Sequence, residues 1–265
     1  MDTESTRLWH ALGLGPVWRL RAAADAVDAG DSPNRAPACG HADPDGNGPA
    51  RRPGADGAVQ DWVVLEEAVA TCTACGLCET RTRTVFGTGQ STAHWMFVGE
   101  APGAEEDQRG EPFVGQAGRL LDNMLAAAGL GRDRPGAQGV YIANVLKCRP
   151  PGNRNPQPPE VARCTPYLLR QIALLRPRVL VLLGRFAVDA LLQTDASIGS
   201  LRGRVHEVLI PDGAGGQRIP AIVTYHPSYL LRNLAEKARS WEDLLLALDT
   251  YEFLPPAVAS SVATP

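Results

Sequence analysis

A chain of 265 residues, 44% of them hydrophobic and 21% charged, is long enough to bury one sizeable core, and its net charge of −3 gives no sign of a nucleic-acid partner beyond what a local arginine patch could hold. No apolar run reaches membrane-crossing length, and the N-terminal stretch lacks the charged-then-apolar order of a secretion signal, so the expected setting is cytoplasmic with no membrane contact. Six cysteines are too few for a disulfide scaffold at this length, and a cluster of them in a reducing compartment points to metal.

Residues 1–58 are rich in Ala, Asp, Gly and Pro with little periodic apolar signal, which predicts a disordered extension whose first part could dock onto another protein. The folded domain is expected over 59–253, followed by a flexible tail over 254–265. It opens with a helix over 61–70, where Trp62, Leu65 and Val69 recur at helical spacing. Short apolar runs with β-branched residues predict strands over 94–98, 140–146, 178–183 and 221–225. Helices are predicted over 118–128, 159–175, 185–192 and 240–251, and strands alternating with helices imply an α/β fold with a parallel sheet covered on both faces. Residues 204–210 and 218–223 read as a hairpin attached to the last strand.

Three groups of residues stand out against this frame. The first is Gly99-Glu100-Ala101-Pro102-Gly103, running on through Glu105, Glu106 and Asp107 to Pro112-Phe113-Val114-Gly115, which sits where the first strand gives way to a loop. That is the ligand-binding edge of an open α/β sheet, although the three acids could equally form a solvated face. The second is a set of cysteines: Cys72 and Cys75 at C-x2-C spacing, then Cys148 at a strand end and Cys164 in the next helix. Four thiolates suffice for one 4Fe-4S cluster or one Zn(II), and the wide second pair suits the larger group better; Cys78 is either a competing ligand or a spectator. The third is His226 at the carboxyl end of the last strand, with Ser228, Tyr229, Leu230, Leu231 and Arg232 after it. Those apolar residues either pack as a first helical turn or wedge into a base stack while Arg232 reaches a phosphate.

Taken together, the Cys72/Cys75 pair, Gly99-Glu-Ala-Pro-Gly103, Pro112-Phe-Val-Gly115, Asn144-Val-Leu-Lys-Cys148-Arg-Pro-Pro151, Cys164 and His226-Pro-Ser-Tyr-Leu-Leu-Arg232 resemble the family-4 uracil-DNA glycosylases, the iron-sulfur branch of their superfamily. The resemblance covers residues 61–251. It implies a three-layer α/β/α sandwich with a central parallel four-stranded sheet, and a 4Fe-4S cluster on Cys72, Cys75, Cys148 and Cys164. It leaves Cys78 outside the ligand set.

What the resemblance implies for chemistry is base excision on uracil-containing DNA by a monomer, with a repair or replication partner for the extension. Phe113 would stack on the extruded uracil, Asn144 would read its Watson-Crick edge, and Gly99 and Ala101 would line the pocket through the main chain. Glu106 would be a barrier to the 5-methyl of thymine. His226 would donate to O2 of the leaving base, and Glu100 would position or activate the water. Residues 228–232 would contact the DNA. The competing readings are a non-catalytic iron-sulfur protein that binds nucleic acid or senses redox state, and a related glycosylase with shifted base choice.

Overall fold

The computed structural model describes residues 62–211 and 216–255. The predicted extension over 1–58 and nearly all of the predicted tail lie outside them.

Among the described residues the sheet has six strands: β1 (Thr88–Gly89), β2 (Trp95–Gly99), β3 (Val140–Asn144), β4 (Val179–Leu183), β5 (Val205–Ile210) and β6 (Gln217–Thr224), in the order β1-β3-β2-β4-β6-β5. The four central strands β3, β2, β4 and β6 are parallel, as the alternation of strands and helices predicts. The outer strands β1 and β5 run antiparallel to their neighbours, so the parallel four-stranded sheet is the centre of a mixed one. Sequence missed β1 because two residues carry no periodicity. The predicted hairpin arm and the predicted last strand are one continuous strand, β6.

The helices are α1 (Trp62–Ala70), α2 (Ala104–Arg109), α3 (Gln116–Ala127), α4 (Pro158–Leu175), α5 (Arg185–Leu192), α6 (Ile198–Leu201), α7 (Pro227–Arg232) and α8 (Lys237–Phe253). Alternation along the buried strands divides their side chains between two cores. Met96 and Val98 join Leu168 and Ile172 of α4 and Val188 of α5. Trp95 and Phe97 face the other way, against Leu121 and Leu125 of α3 and Leu244 of α8. Two apolar layers on opposite faces of one sheet make the three-layer α/β/α sandwich.

Local chemistry sets the helix starts. Pro158 and Pro159 occupy the first turn of α4, where a missing N–H is harmless, and Glu160 accepts from the Gln157 amide at 2.8 Å. The carboxyl ends of β2, β3, β4 and β6 all open at one edge of the sheet, and the sequence places Glu100, Asn144, Gly184 and His226 at that edge. Among the described residues no helix is long and apolar enough to cross a membrane.

Candidate active site

Gly99 and Asn144 are register partners at the ends of β2 and β3. A methyl group on Gly99 would overlap Asn144 Oδ1 and come within 2.6 Å of Phe113 Cζ, so the missing side chain lets those two groups converge. Asn144 is only 2% exposed, and its Oδ1 has no hydrogen-bond partner among the described residues. Leaving a buried acceptor unsatisfied costs about 1–3 kcal/mol. A site that retains such a cost is prepared for a donor from outside.

Phe113 is buried, and its ring lies 5.5 Å from that of His226 at an interplanar angle of 31°. Its loop is tied down by Glu106, which the sequence reading cast as a bulky barrier. One carboxylate oxygen accepts from the amides of Val114 and Gly115, both at 3.0 Å, and the other from Gly103 at 3.1 Å. Glu106 thus joins the Gly99–Gly103 loop to the Phe113 loop through main-chain amides. The alternative of a solvated acidic face holds for Glu105 and fails for Asp107, which is 2% exposed and accepts from the Thr82 amide at 2.9 Å. The segment read as loop is in part α2, and that helix turns Asp107 inward.

His226 precedes α7, and its Nδ1 accepts from the Ser228 amide at 3.1 Å. In the neutral ring the proton is therefore on Nε2, which is left to donate. Burial, with the Arg232 cation adding to it, pushes the imidazole down to about 4, so the ring is neutral at ordinary pH. Burial likewise pushes the Glu100 carboxyl up to about 7. Ala101 is half-buried beside the same loop.

The segment after His226 corrects one expectation. Leu230 is fully buried, whereas Tyr229 and Leu231 are 37% and 39% exposed. Residues 227–232 form a helix, and its turn of about 100° per residue sends Leu230 to the core while its neighbours face out. Leu230 is a packing residue and not part of a wedge. The Tyr229 ring stacks on Tyr225 at 5.0 Å, Arg232 is exposed, and Ser228 supplies its amide to His226.

Cys72, Cys75, Cys148 and Cys164 are free thiols and line one cavity together with Leu77, Leu146 and Tyr167. Cys78 is buried and does not line it. Among the described residues no three His, Cys, Asp or Glu side chains close around one point as ligands of a single ion would. Arg81 donates to Cys148 Sγ at 3.2 Å, and the Lys147 amide donates to Cys164 Sγ at 3.2 Å. Burial pushes the Cys75 and Cys148 thiols up and the Cys164 thiol up to about 12, which favours the protonated thiols at neutral pH.

Sequence reasoning passed over Lys147, which lies inside a quoted motif yet reads as a surface residue. It is 1% exposed, and its ammonium donates to the carbonyls of Asn144 at 2.8 Å and Phe86 at 3.3 Å and to Gln171 Oε1 at 2.6 Å. Only the strand-end apolar run around it hinted at burial. On β5, His206 Nε2 pairs with the Leu201 carbonyl at 2.7 Å.

The family model of the uracil-DNA glycosylase superfamily matches residues 86–245. The type-4 uracil-DNA glycosylase of Archaeoglobus fulgidus is 46% identical over 175 residues, which span 64% of this chain and 82% of that protein. The type-4 uracil-DNA glycosylase of Thermotoga maritima is 44% identical over 177 residues, 66% of this chain and 86% of its own. That of Pyrobaculum aerophilum is 38% identical over 190 residues, 70% and 92%. With the family model spanning more than half the chain and these relatives covered over most of their length, the chain belongs to the uracil-DNA glycosylase superfamily, in its type-4 branch.

Proposed function

We propose that this chain hydrolyses the N-glycosidic bond of deoxyuridine flipped out of DNA, releasing uracil and leaving an abasic site. The observation that carries the reading is the unpartnered, buried Oδ1 of Asn144 beside the Phe113 ring. Uracil offers a donor at N3 and an acceptor at O4, and the Asn144 amide complements both, its oxygen taking N3–H and its nitrogen giving to O4. Cytosine reverses both groups, so the same amide opposes it. Phe113 stacks on the base. Glu106 acts on the choice between uracil and thymine by fixing the loop that walls the pocket, with Gly99 and Ala101 forming the floor.

As the C1′–N1 bond breaks, the bonding pair leaves with uracil and the sugar becomes oxocarbenium-like. His226 Nε2–H donates to the growing negative charge on O2, and its neutral state suits a hydrogen-bond donor. Water adds its oxygen to C1′, and Glu100, with a carboxyl near 7, takes the proton. Tyr229, Leu231 and Arg232 are exposed on the helix after His226 and would meet the DNA beside the flipped nucleotide.

The thiol cavity fits a 4Fe-4S cluster. Four cysteines surround a space instead of converging on a point, as the ligands of a cluster would, and the Arg81 guanidinium and the Lys147 main-chain amide each donate to one of the sulfurs. When bound, such a cluster supplies a cross-link between the 72–75 turn, the end of the Asn144 segment and α4.

The test is cleavage of an oligonucleotide carrying one uracil, with alkali to break abasic sites, by anaerobically purified wild type and His226→Ala. Strand breaks with the wild type and at least about 100-fold fewer with the variant are expected. A folded, brown protein that leaves the uracil in place would transfer the reading to a binding module.

A further inference from the structure

We infer that Arg132 is a positioning residue for Phe113, holding in place the ring that meets the flipped base; the inference rests on the stacking role proposed above. Phe113 has φ 56°, in the left-handed region that a bulky side chain adopts only when its surroundings impose it. Three groups impose it here. Glu106 grips the amides of Val114 and Gly115 on the downstream side. Gly118 lets the Phe113 carbonyl approach closely, since a methyl group there would overlap that carbonyl. Arg132 grips the carbonyls, one terminal nitrogen donating to Pro112 O at 3.1 Å and the other to Phe113 O at 3.2 Å.

The guanidinium is held as firmly as it holds. Its Nε and one terminal nitrogen donate to Asp122 Oδ1 at 3.0 and 2.8 Å, and the other terminal nitrogen donates to Glu111 Oε1 at 3.2 Å. Thr88 Oγ1 fixes that Glu111 oxygen at 3.1 Å. All five N–H groups are therefore engaged, and the Arg132 side chain is 12% exposed. The two acids come from the turn before Phe113 and from α3 behind it, so the fork fixes the loop to its own flanks. Only a planar fork can reach two adjacent carbonyls and two carboxylates together; an ammonium cannot. Arg132 itself does not touch the pocket, so its effect passes through the orientation of the Phe113 ring toward His226.

The experiment is a double-mutant cycle on single-turnover uracil release from a U·G duplex, using wild type, Arg132→Gln, Phe113→Ala and the double variant, each assayed below its melting temperature. Arg132→Gln should slow release by about 10- to 100-fold, and Arg132→Lys should fall between it and the wild type. In the Phe113→Ala background the same change should alter the rate by less than about twofold, because the ring it positions is gone. An equal loss in both backgrounds, or a wild-type rate for Arg132→Gln, would overturn the inference while leaving the stacking role intact. A wild-type rate for Phe113→Ala alone would remove the stacking role, and the inference with it. Should Arg132→Gln fail to fold, Arg132→Lys in both backgrounds makes the same comparison.

Discussion

Acidification below about pH 7 should silence Glu100. Burial pushes its carboxyl up to about 7, and the proposed role requires the carboxylate, so activity is lost as pH falls through that value. Protonation of a single group lowers the rate about tenfold per pH unit below its midpoint, giving about a tenth of the plateau rate at pH 6 and about a hundredth at pH 5. His226 does not contribute to this limb, because burial and Arg232 hold its imidazole down to about 4. The assay is single-turnover uracil release from a U·G duplex between about pH 5 and 9, for wild type and Glu100→Gln. The variant should be slower by about 10²- to 10⁴-fold and show no limb near 7. Stability supplies an independent check with the opposite sign. A carboxyl that is raised on folding binds its proton more tightly in the folded state, so it stabilises below its ordinary value of 4.5 and that contribution is lost as pH rises to about 7. Glu100→Gln should therefore melt above the wild type at pH 8. A wild-type rate that stays on its plateau down to pH 5, or a Glu100→Gln profile with the same limb, would refute the assignment.

Asn144→Asp replaces the amide donor with a second acceptor facing O4; uracil release should fall by about 10⁴-fold at pH 8 with visible absorbance unchanged, and a rate within tenfold of wild type would remove Asn144 from the pocket. Gly99→Ala drives a methyl into Asn144 Oδ1 and the Phe113 ring. It should lower stability by about 1–3 kcal/mol in urea unfolding and abolish most activity, whereas an active, equally stable variant would show that the two side chains do not converge there. Cys148→Ser should lose brown absorbance and thermal stability together, since cluster binding and local folding are linked. A colourless, stable wild type containing one zinc would overturn the cluster.

The sheet and its flanking helices were legible because buried parallel strands are continuous apolar runs, and helices such as α4 carry strong starts at Pro158, Pro159 and Glu160. The residues of the proposed site, Asn144, Phe113, His226 and Glu100, could be singled out because each lies in or beside a loop after a strand end, where an α/β sheet presents its ligands. What sequence hid depends on direction and distance. Leu230 and Leu231 are chemically identical neighbours, and only the hand of a short helix sends one inward and the other out. Glu106 and Asp107 are adjacent acids that both read as a solvated face, yet both end on main-chain amides, Glu106 on those of Val114 and Gly115 and Asp107 on that of Thr82. Arg132 carries no local signal at all, since its partners are set by where the loop before α3 returns.

The segment from Asn144 to Cys148 joins the two halves of the domain's chemistry. Asn144 keeps its buried Oδ1 without a partner among the described residues while its carbonyl accepts from Lys147. The Lys147 ammonium also reaches Phe86 and Gln171, and its own amide donates to Cys164 Sγ, one residue before Cys148. A buried ammonium is expensive unless hydrogen-bonded, and burial accordingly pulls this one down to about 8. Its three acceptors come from the chain leading to β1, from the end of β3 and from α4, so it pins the strand end on which Asn144 is carried to the elements on either side. The thiol cavity then closes the same segment from below, through Cys148 and Cys164. Five residues thus place the amide proposed to read the base and the cavity proposed to hold the cluster on one hydrogen-bonded piece of chain, so a cluster bound there would brace the strand end that carries Asn144.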